Sequence, residues 1–539
     1  MKDGFRQSMA WLHTWVGLLL GWILYFIFIT GSLGYWDTEI DRWMQPELPV
    51  ASNGVSDAQT IEAGLQRLAE IAPQASRWFI TLAGDRNNPY PSIFWQDAQG
   101  SDSEQLDPGT AAPPQARATG GGQLLYQMHW RLHYLPRTVS DWIVGIASML
   151  MLLALITGVV VHKKIFKDFF TFRPGKGQRS WLDAHNVVSV ISLPFQVMIT
   201  YSGLVFMMFV YMPLTVAAFY GTDAQSRMLF QQEAFLLPQL PEPAGQTAEL
   251  TSLGAVLDQV AVLWPDEPLG YVDIRHPRDS NARIIVASGN AAGPVRSRTT
   301  LLFDGASGEL LENRPASDSV GRFSRELLLG LHEGLYAGTV LRWLYFLSGL
   351  LGAAMIASGL VLWTVKRRQR AERTGERHAG LRLVESLNIA SIIGLPLAVA
   401  AYFWANRLLP VAWEARAEWE AHVMFGVWAG LFLHAALRPA SRAWVEQLTA
   451  AALAFALLPL VNTLTTERHL LNSLFAADWV FVGFELSVLA TGLAFAAGAI
   501  YLQRRSVGPR HQGTARAGSM GTARTGQSGQ RVELLESRP

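Results

Sequence analysis

The chain has 539 residues, of which 50% are hydrophobic and 16% are charged, and it contains no cysteine. Soluble proteins carry about 25% charged residues, so this composition indicates a membrane protein. The net charge of +1 gives no basis for nucleic-acid binding. The lack of cysteine excludes disulfides, thiolate zinc sites and cysteine-ligated iron–sulfur clusters. Any redox chemistry must therefore use a bound cofactor with nitrogen or oxygen ligands.

Apolar runs of about 20 residues are long enough to cross a bilayer as helices. In chain order such runs lie at 12–35, 142–161, 187–212, 341–365, 383–404, 422–437, 445–464 and 479–502. The first run lacks a small-residue cleavage site and is too long for a signal peptide, so we expect it to stay as an anchor. The pattern predicts a membrane all-α helical bundle of about eight transmembrane helices.

One long segment lies between the first and second spans, and another lies between the third and fourth spans. Each contains a helical stretch, at 58–71 and 250–263, followed by short strand-like pieces. A helix followed by strands that occurs twice is typical of a duplicated module. We therefore predict two α+β insertions, both on the same side of the membrane.

Basic residues cluster after the second, fourth, sixth and eighth spans, beginning with Lys163, Lys164 and Lys167. By the positive-inside rule this side is cytoplasmic, so both insertions are periplasmic and both termini cytoplasmic. The tail is rich in Gly, Ser, Thr and Arg, and we expect it to be disordered. The predicted division is transmembrane helix 1 at 1–36, a periplasmic insertion at 37–125, helices 2 and 3 with a basic cytoplasmic loop at 126–212, a second periplasmic insertion at 213–330, helix 4 at 331–370, a C-terminal four-helix extension at 371–505 and the cytoplasmic tail at 506–539.

Four histidines lie at the ends of the first four spans. His13 and His185 open spans on the cytoplasmic side, whereas His129 and His332 precede spans on the other side. A histidine near hydrocarbon is costly unless its ring nitrogens are held, so such residues are candidates for a functional site. Two neutral imidazoles from different helices can fill both axial positions of one haem iron. The pattern predicts one haem site near each face.

Other histidines leave alternatives open at both faces. His162 ends the second span and is a rival for the inner site. His133 follows His129 by one helical turn and shares its face, so only one of the two can ligate the outer iron. We expect an ordinary interfacial role for the remaining histidines, namely His276, His378, His422, His434, His469 and His511.

Four sequence motifs resemble those of the PepSY-associated transmembrane family of bacterial inner-membrane proteins. In this chain they are the segments 12–17 (LHTWVG), 158–176 (GVVVHKKIFKDFFTFRPGK), 181–186 (WLDAHN) and 331–336 (LHEGLY). Members of the family include iron-regulated ferric-siderophore reductases that carry two haem b groups. The resemblance implies a four-helix haem core with PepSY-like periplasmic insertions, and it covers roughly residues 5–370. Residues 383–505 depart from the family pattern and carry no motif that we can assign.

The resemblance also implies the ligands and the activity. It assigns His13 and His185 to the inner haem iron, and His129 and His332 to the outer one. The expected activity is electron transfer across the inner membrane to a periplasmic ferric siderophore, which releases Fe(II). No dinucleotide fingerprint is present, so the electron donor is expected to be membrane quinol or a separate protein.

Two other functional classes remain open. One is a haem-free PepSY membrane protein that binds peptides or modulates envelope peptidases. The other is a transporter subunit, for which paired intramembrane carboxylates are not evident in the sequence.

Overall fold

The computed structural model describes most of the chain. The described residues are 4–48, 55–84, 88–162, 173, 175–235, 240–289, 293–296, 298–315, 319–375 and 379–507. The predicted tail lies outside these residues from position 508 onward. So do Lys163, Lys164 and Lys167 of the first basic segment.

The described part of the chain is mostly helical, with one antiparallel sheet. In chain order the helices are α1 (Phe5–Leu33), α2 (Asp37–Met44), α3 (Asp57–Ile71), α4 (Gly121–Gln127), α5 (Arg137–Val161), α6 (Gln178–Phe206), α7 (Met208–Tyr211), α8 (Pro213–Tyr220), α9 (Ala224–Phe235), α10 (Leu253–Leu263), α11 (Val320–Glu333), α12 (Thr339–Thr374), α13 (Ala379–Ile392), α14 (Gly394–Leu408), α15 (Arg416–Leu437), α16 (Ala440–Ala456), α17 (Leu458–Thr465), α18 (Leu470–Phe475) and α19 (Trp479–Val507). The strands are β1 (Arg77–Thr81), β2 (Ser92–Gln96), β3 (Ser101–Gln105), β4 (Leu269–Arg275), β5 (Arg283–Ser288), β6 (Thr300–Asp304) and β7 (Leu310–Arg314).

Eight helical stretches among the described residues are long and apolar enough to span a membrane, which confirms the predicted multi-pass membrane protein. Two of the last four stretches are each built from two helices. α13 continues into α14, and α16 continues into α17. Pro459 stands in the first turn of α17, where a proline is tolerated because its missing N–H has no partner within the helix. Pro459 thus gives a local reason for the break between α16 and α17.

The first four spans, α1, α5, α6 and α12, pack together as a core bundle. α1 packs against α5 and α12, and α6 packs against the same two helices. A Cβ on Gly349 of α12 would collide with Ser32 of α1, and one on Gly352 would collide with Phe28. Small residues at such contacts let membrane helices approach closely.

The strands of the two insertions form a single seven-stranded sheet in the order β3-β2-β1-β4-β5-β6-β7. The antiparallel pairing of β1 with β4 joins the two halves, and an ion pair of 2.8 Å between Arg77 and Asp273 crosses that junction. α3 and α10 cover one face of the sheet with a shared apolar core. The sequence predicts two insertions, whereas the structure unites them in one α+β unit. We refer to the end of the bundle that carries this unit as the sheet side.

The last four spans form a second bundle that is fixed to the chain before α4 by buried polar contacts. Arg416 and Glu420 of α15 form an ion pair with no solvent exposure. Glu420 also accepts hydrogen bonds from Thr119 Oγ1 at 2.5 Å and from Asn406 Nδ2 at 2.7 Å. A buried ion pair needs such additional hydrogen bonds to offset its desolvation. The pair therefore anchors the second bundle to the chain that precedes α4.

Candidate functional site

The inner pair of histidines lies at the end of the core bundle that is remote from the sheet. His13 belongs to α1 and His185 to α6. Their ring centres are 6.5 Å apart and their planes are inclined by 66°. Two imidazoles bound to opposite sides of one metal ion, with bonds of about 2 Å, have ring centres roughly 6 Å apart. The inner pair therefore has the spacing of two ligands that share one metal.

The Nδ1 atom of His13 is held by the neighbouring helix α5. It lies 3.0 Å from the carbonyl oxygen of Ala154 and 3.3 Å from Thr157 Oγ1. The Thr157 hydroxyl itself donates to the Leu153 carbonyl at 2.9 Å. Since a carbonyl oxygen can only accept, Nδ1 of His13 carries the proton and Nε2 has the free lone pair.

The Nδ1 atom of His185 is held in the same way by α12. It lies 2.9 Å from the carbonyl oxygen of Met355 and 3.1 Å from Ser358 Oγ. The same tautomer follows, because the carbonyl again requires the proton on Nδ1. Metal-binding histidines usually donate their second ring N–H to a carbonyl or carboxylate, and this fixes the ring and increases its basicity.

The outer pair of histidines lies at the sheet side. His129 follows α4, and His332 is in the last turn of α11. Their ring centres are 6.2 Å apart with planes inclined by 22°. The edge of Phe206, the last residue of α6, packs on His332 with ring centres 5.2 Å apart. The outer pair thus repeats the inner spacing at the opposite end of the bundle.

The outer rings are also held through Nδ1. His129 donates to the carbonyl oxygen of Tyr126 at 2.6 Å. His332 lies 2.9 Å from Ser202 Oγ, and that hydroxyl donates its own proton to the Met198 carbonyl at 2.7 Å. Ser202 therefore accepts from Nδ1 of His332, and Nε2 is again the unprotonated nitrogen in both outer rings.

Burial keeps the outer rings uncharged. It lowers the pKa of His332 to about 3, with a further contribution from His129. Burial also lowers the pKa of His129. Neutral imidazole is the form that binds a metal ion, so both outer rings are in that form at neutral pH.

The four rings come from two pairs of neighbouring helices, α1 with α5 and α6 with α12, and within each pair both helices contact a ring that the other one carries or follows. α1 presents His13 to α5, while His129, which precedes α5, packs against Gly31 of α1. α6 presents His185 to α12, while His332, which precedes α12, contacts α6. Each histidine pair takes one ring from each helix pair. This repeated arrangement matches the repeated insertions and indicates an internal duplication.

The two rival histidines are not in these pairs. His133 stacks on Phe425 of the second bundle, with ring centres 5.7 Å apart, and its Nε2 lies 3.6 Å from Glu418. The structure therefore brings His129, and not His133, against His332. His162 is the residue after α5, where its backbone N–H donates to the Gly158 carbonyl at 3.2 Å. At the inner site the ring of His185 is in contact with the ring of His13.

Two histidines of the second bundle have side-chain partners of their own. Nδ1 of His422 lies 2.6 Å from the Tyr134 hydroxyl, and Nε2 of His434 lies 2.9 Å from Glu446. Neither contact involves one of the four paired histidines. His378 and His511 lie outside the described residues.

The sequence analysis missed two groups of residues. The hydroxyls that face the rings, Thr157, Ser202 and Ser358, each stand directly before a glycine within a core helix, and this dipeptide is the signal that could have found them. The buried pair Arg416 and Glu420 has the four-residue spacing of a helical ion pair. That spacing alone does not reveal burial, so the sequence gave no reason to select the pair.

Comparison with known proteins covers the part of the chain that holds these sites. The model of the family described as PepSY-associated TM region matches residues 10–366. The Pseudomonas aeruginosa protein named Uncharacterized protein PA4219 is 26% identical over 338 residues, a match that covers 59% of this chain and 80% of that protein. All four paired histidines and both insertions lie within the family match, and the second bundle lies beyond it.

Proposed function

The chain belongs to the PepSY-associated TM region family, and we propose that it is a di-haem oxidoreductase of the bacterial inner membrane. In this proposal it carries electrons across the bilayer to a ferric chelate, a siderophore, on the periplasmic side, which is the sheet side. The observation that carries the proposal is the pair of histidine sites at opposite ends of one helical bundle. Each site holds two Nδ1–H groups and leaves two Nε2 lone pairs at a spacing that fits one metal.

The donor set fits haem better than a simple metal ion. Among the described residues no group of three or more His, Asp or Glu side chains is placed to hold a metal ion. Within the described part of the chain each pair offers a metal two nitrogen donors, and a porphyrin would supply the others. Gly17 lies one turn from His13 on the same face of α1, and no described atom is within 4 Å of its Cβ position. The space beside the ring supports a flat group there.

The chemistry of the residues favours haem b. Covalent attachment of a c-type haem needs cysteine, and the chain has none. Bound between two imidazoles, haem iron supplies reversible one-electron exchange rather than oxygen binding. The chain supplies the neutral axial ligands, the apolar surroundings and the protons on Nδ1 that fix the ring tautomers.

The separation of the two sites supports transfer across a membrane. His13 and Gly31, which contacts His129, lie about five turns apart in α1, or roughly 27 Å at the rise of an α-helix. The hydrocarbon core of a bilayer is about 30 Å thick. The two sites therefore lie near opposite faces of the bilayer.

Two arginines lie on aromatic rings near the outer pair, and each also pairs with a glutamate, Arg296 with Glu333 at 3.2 Å and Arg325 with Glu326. The Arg296 guanidinium lies 6.0 Å from the centre of the Phe206 ring, which packs on His332. Arg325 lies 5.8 Å from the centre of the Phe209 ring. Guanidinium groups donate several hydrogen bonds to oxygen atoms and also stack on planar groups. The oxygen atoms of a ferric hydroxamate chelate accept such hydrogen bonds.

The proposed reaction balances with a quinol donor. Oxidation of one membrane quinol to quinone releases two electrons and two protons, and each electron reduces one chelated Fe(III) to Fe(II). Hard oxygen ligands hold Fe(II) far more weakly than Fe(III), so the reduction releases the metal. No side chain needs to act as an acid or base on the chelate.

Stopped-flow spectroscopy of the purified full-length chain tests this function. The protein is reduced with a quinol analogue and mixed with a ferric trihydroxamate in the presence of an Fe(II)-specific indicator. We expect the b-haem absorbance to reoxidise while about one Fe(II) forms per electron lost. His434→Ala serves as the matched control and should behave as the wild type. A folded protein without haem would instead favour the peptide-binding alternative, and haem that the chelate does not reoxidise would refute the assigned acceptor.

A further inference from the structure

A Ser–Gly or Thr–Gly pair in each core helix lies beside one of the four paired histidines. These pairs are Thr30–Gly31, Thr157–Gly158, Ser202–Gly203 and Ser358–Gly359. In three of them the glycine lies against the Cε1 atom of the ring. A Cβ would lie 3.3 Å from His13 Cε1 if placed on Gly158, 3.2 Å from His185 Cε1 on Gly359, and 3.1 Å from His332 Cε1 on Gly203.

The glycine also explains why a helical carbonyl can accept from the ring. A helical side chain covers the turn that precedes its own Cα, so a glycine uncovers the carbonyl four residues earlier. In α5 this carbonyl belongs to Ala154, which accepts from His13 at 3.0 Å. Its oxygen has a second lone pair beyond the one used within the helix. Thr157, directly before Gly158, adds its hydroxyl at 3.3 Å.

The same three-part arrangement recurs in α12. Met355, four residues before Gly359, accepts from His185 at 2.9 Å, and Ser358 adds its hydroxyl at 3.1 Å. We term the carbonyl, the hydroxyl and the glycine together an imidazole seat. The seat of His13 consists of Ala154, Thr157 and Gly158, and the seat of His185 consists of Met355, Ser358 and Gly359.

The two outer rings differ from each other: His332 has all three parts of the seat, since the backbone carbonyl of Ile199, four residues before Gly203, also bonds to it. His332 lies against Gly203 and is held by the Ser202 hydroxyl at 2.9 Å. His129 lies against Gly31 at the ordinary contact distance of 3.6 Å, but its Nδ1 turns to Tyr126 instead. Three of the four rings are thus held by a neighbouring helix, whereas His129 donates to its own turn.

We propose that the glycines and hydroxyls of these seats are positioning residues that set the depth and rotation of the axial imidazoles. The inference rests on the proposed function, because ring rotation matters only when a metal binds Nε2. Cε1 is bonded to both ring nitrogens, so a methyl group that displaces Cε1 also turns the Nε2 lone pair. Bonds to the metal are fixed near about 2 Å, and the ring must tilt to keep them.

A purely packing role for these glycines makes a different prediction. Gly349 follows Ser348 in α12, yet its contact is with Ser32 of α1 and not with a histidine. A glycine that serves helix packing alone should affect stability without selecting one haem. A positioning glycine should alter the spectrum of only the haem whose ring it contacts.

Electron paramagnetic resonance (EPR) of the ferric, purified full-length protein distinguishes these roles. Gly158→Ala should shift the largest g value of one low-spin signal by more than its linewidth, or remove that haem, and leave the other signal unchanged. Gly203→Ala should do the same to the other signal. Gly430→Ala is the matched control, since Gly430 is in membrane helix α15 with no described atom within 4 Å of its Cβ position.

A second variant keeps the test decisive if Gly158→Ala fails to fold. Thr157→Val preserves the side-chain shape, removes the hydroxyl near His13 and should shift the same signal as Gly158→Ala. Suppose that the wild type shows two low-spin signals and that the spectra of both seat variants are the same as that of Gly430→Ala. The positioning role is then wrong, while the proposed function stands. A folded wild type without haem would overturn both.

Discussion

The two histidine pairs have similar spacings, and they differ in how one of the four rings, that of His129, is held. Both inner rings lie within membrane helices, and each donates to a carbonyl of a neighbouring helix. The outer rings lie in short segments before membrane helices, and one of them donates to its own turn. The ring planes are inclined by 66° in the inner pair and by 22° in the outer pair. The comparison shows that a duplicated scaffold can preserve the spacing of paired rings while ring orientation varies with local contacts.

The largest predicted effect is the loss of one haem on removal of one ring. His13→Ala or His185→Ala should halve the haem content and retain the outer haem, and His332→Ala or His129→Ala should retain the inner one. The physical reason is that the altered site would keep only one of the two rings that are proposed to hold the iron. Haem content per chain is measured by the pyridine haemochrome assay.

His133→Ala, His162→Ala and His434→Ala provide the comparison for this prediction. We expect all three to retain two haems, because these rings are outside the two pairs. Loss of haem from His133→Ala with full retention in His129→Ala would reverse the outer assignment. Loss of the inner haem from His162→Ala would do the same for the inner site.

A smaller effect concerns ring orientation. Crossed imidazole planes give a more anisotropic ferric low-spin signal than nearly parallel planes. EPR of the wild type should therefore show two low-spin signals, and the more anisotropic one should disappear in His13→Ala. Two identical signals, or loss of the less anisotropic signal in His13→Ala, would contradict the difference between the pairs.

Much of the membrane architecture was predictable from the sequence. The eight spans follow from apolar runs of sufficient length, and the structure has all eight. The proximity of His13 to His185, and of His332 to one of the two outer candidates, followed from their shared side and depth. The choice of His129 over His133 rested on family resemblance, because both lie on one helical face. The structure separates them by the contact of His133 with Phe425.

Other features depend on contacts that local patterns do not encode. The union of the two insertions requires β1 to pair with β4 across nearly 200 residues of chain, and strand partners at such distances are not specified by alternation alone. The seats depend on which glycine faces which ring. Ser348–Gly349 and Ser358–Gly359 have the same composition in one helix, yet only the second faces a histidine.

Haem content of the purified wild-type protein tests the central claim most directly. The account predicts two haem b groups per chain, with a reduced spectrum of six-coordinate low-spin iron. A correctly folded, full-length protein that stays colourless after expression with ample haem would contradict it. A single haem per chain would contradict the equivalence of the two histidine pairs as ligand sites.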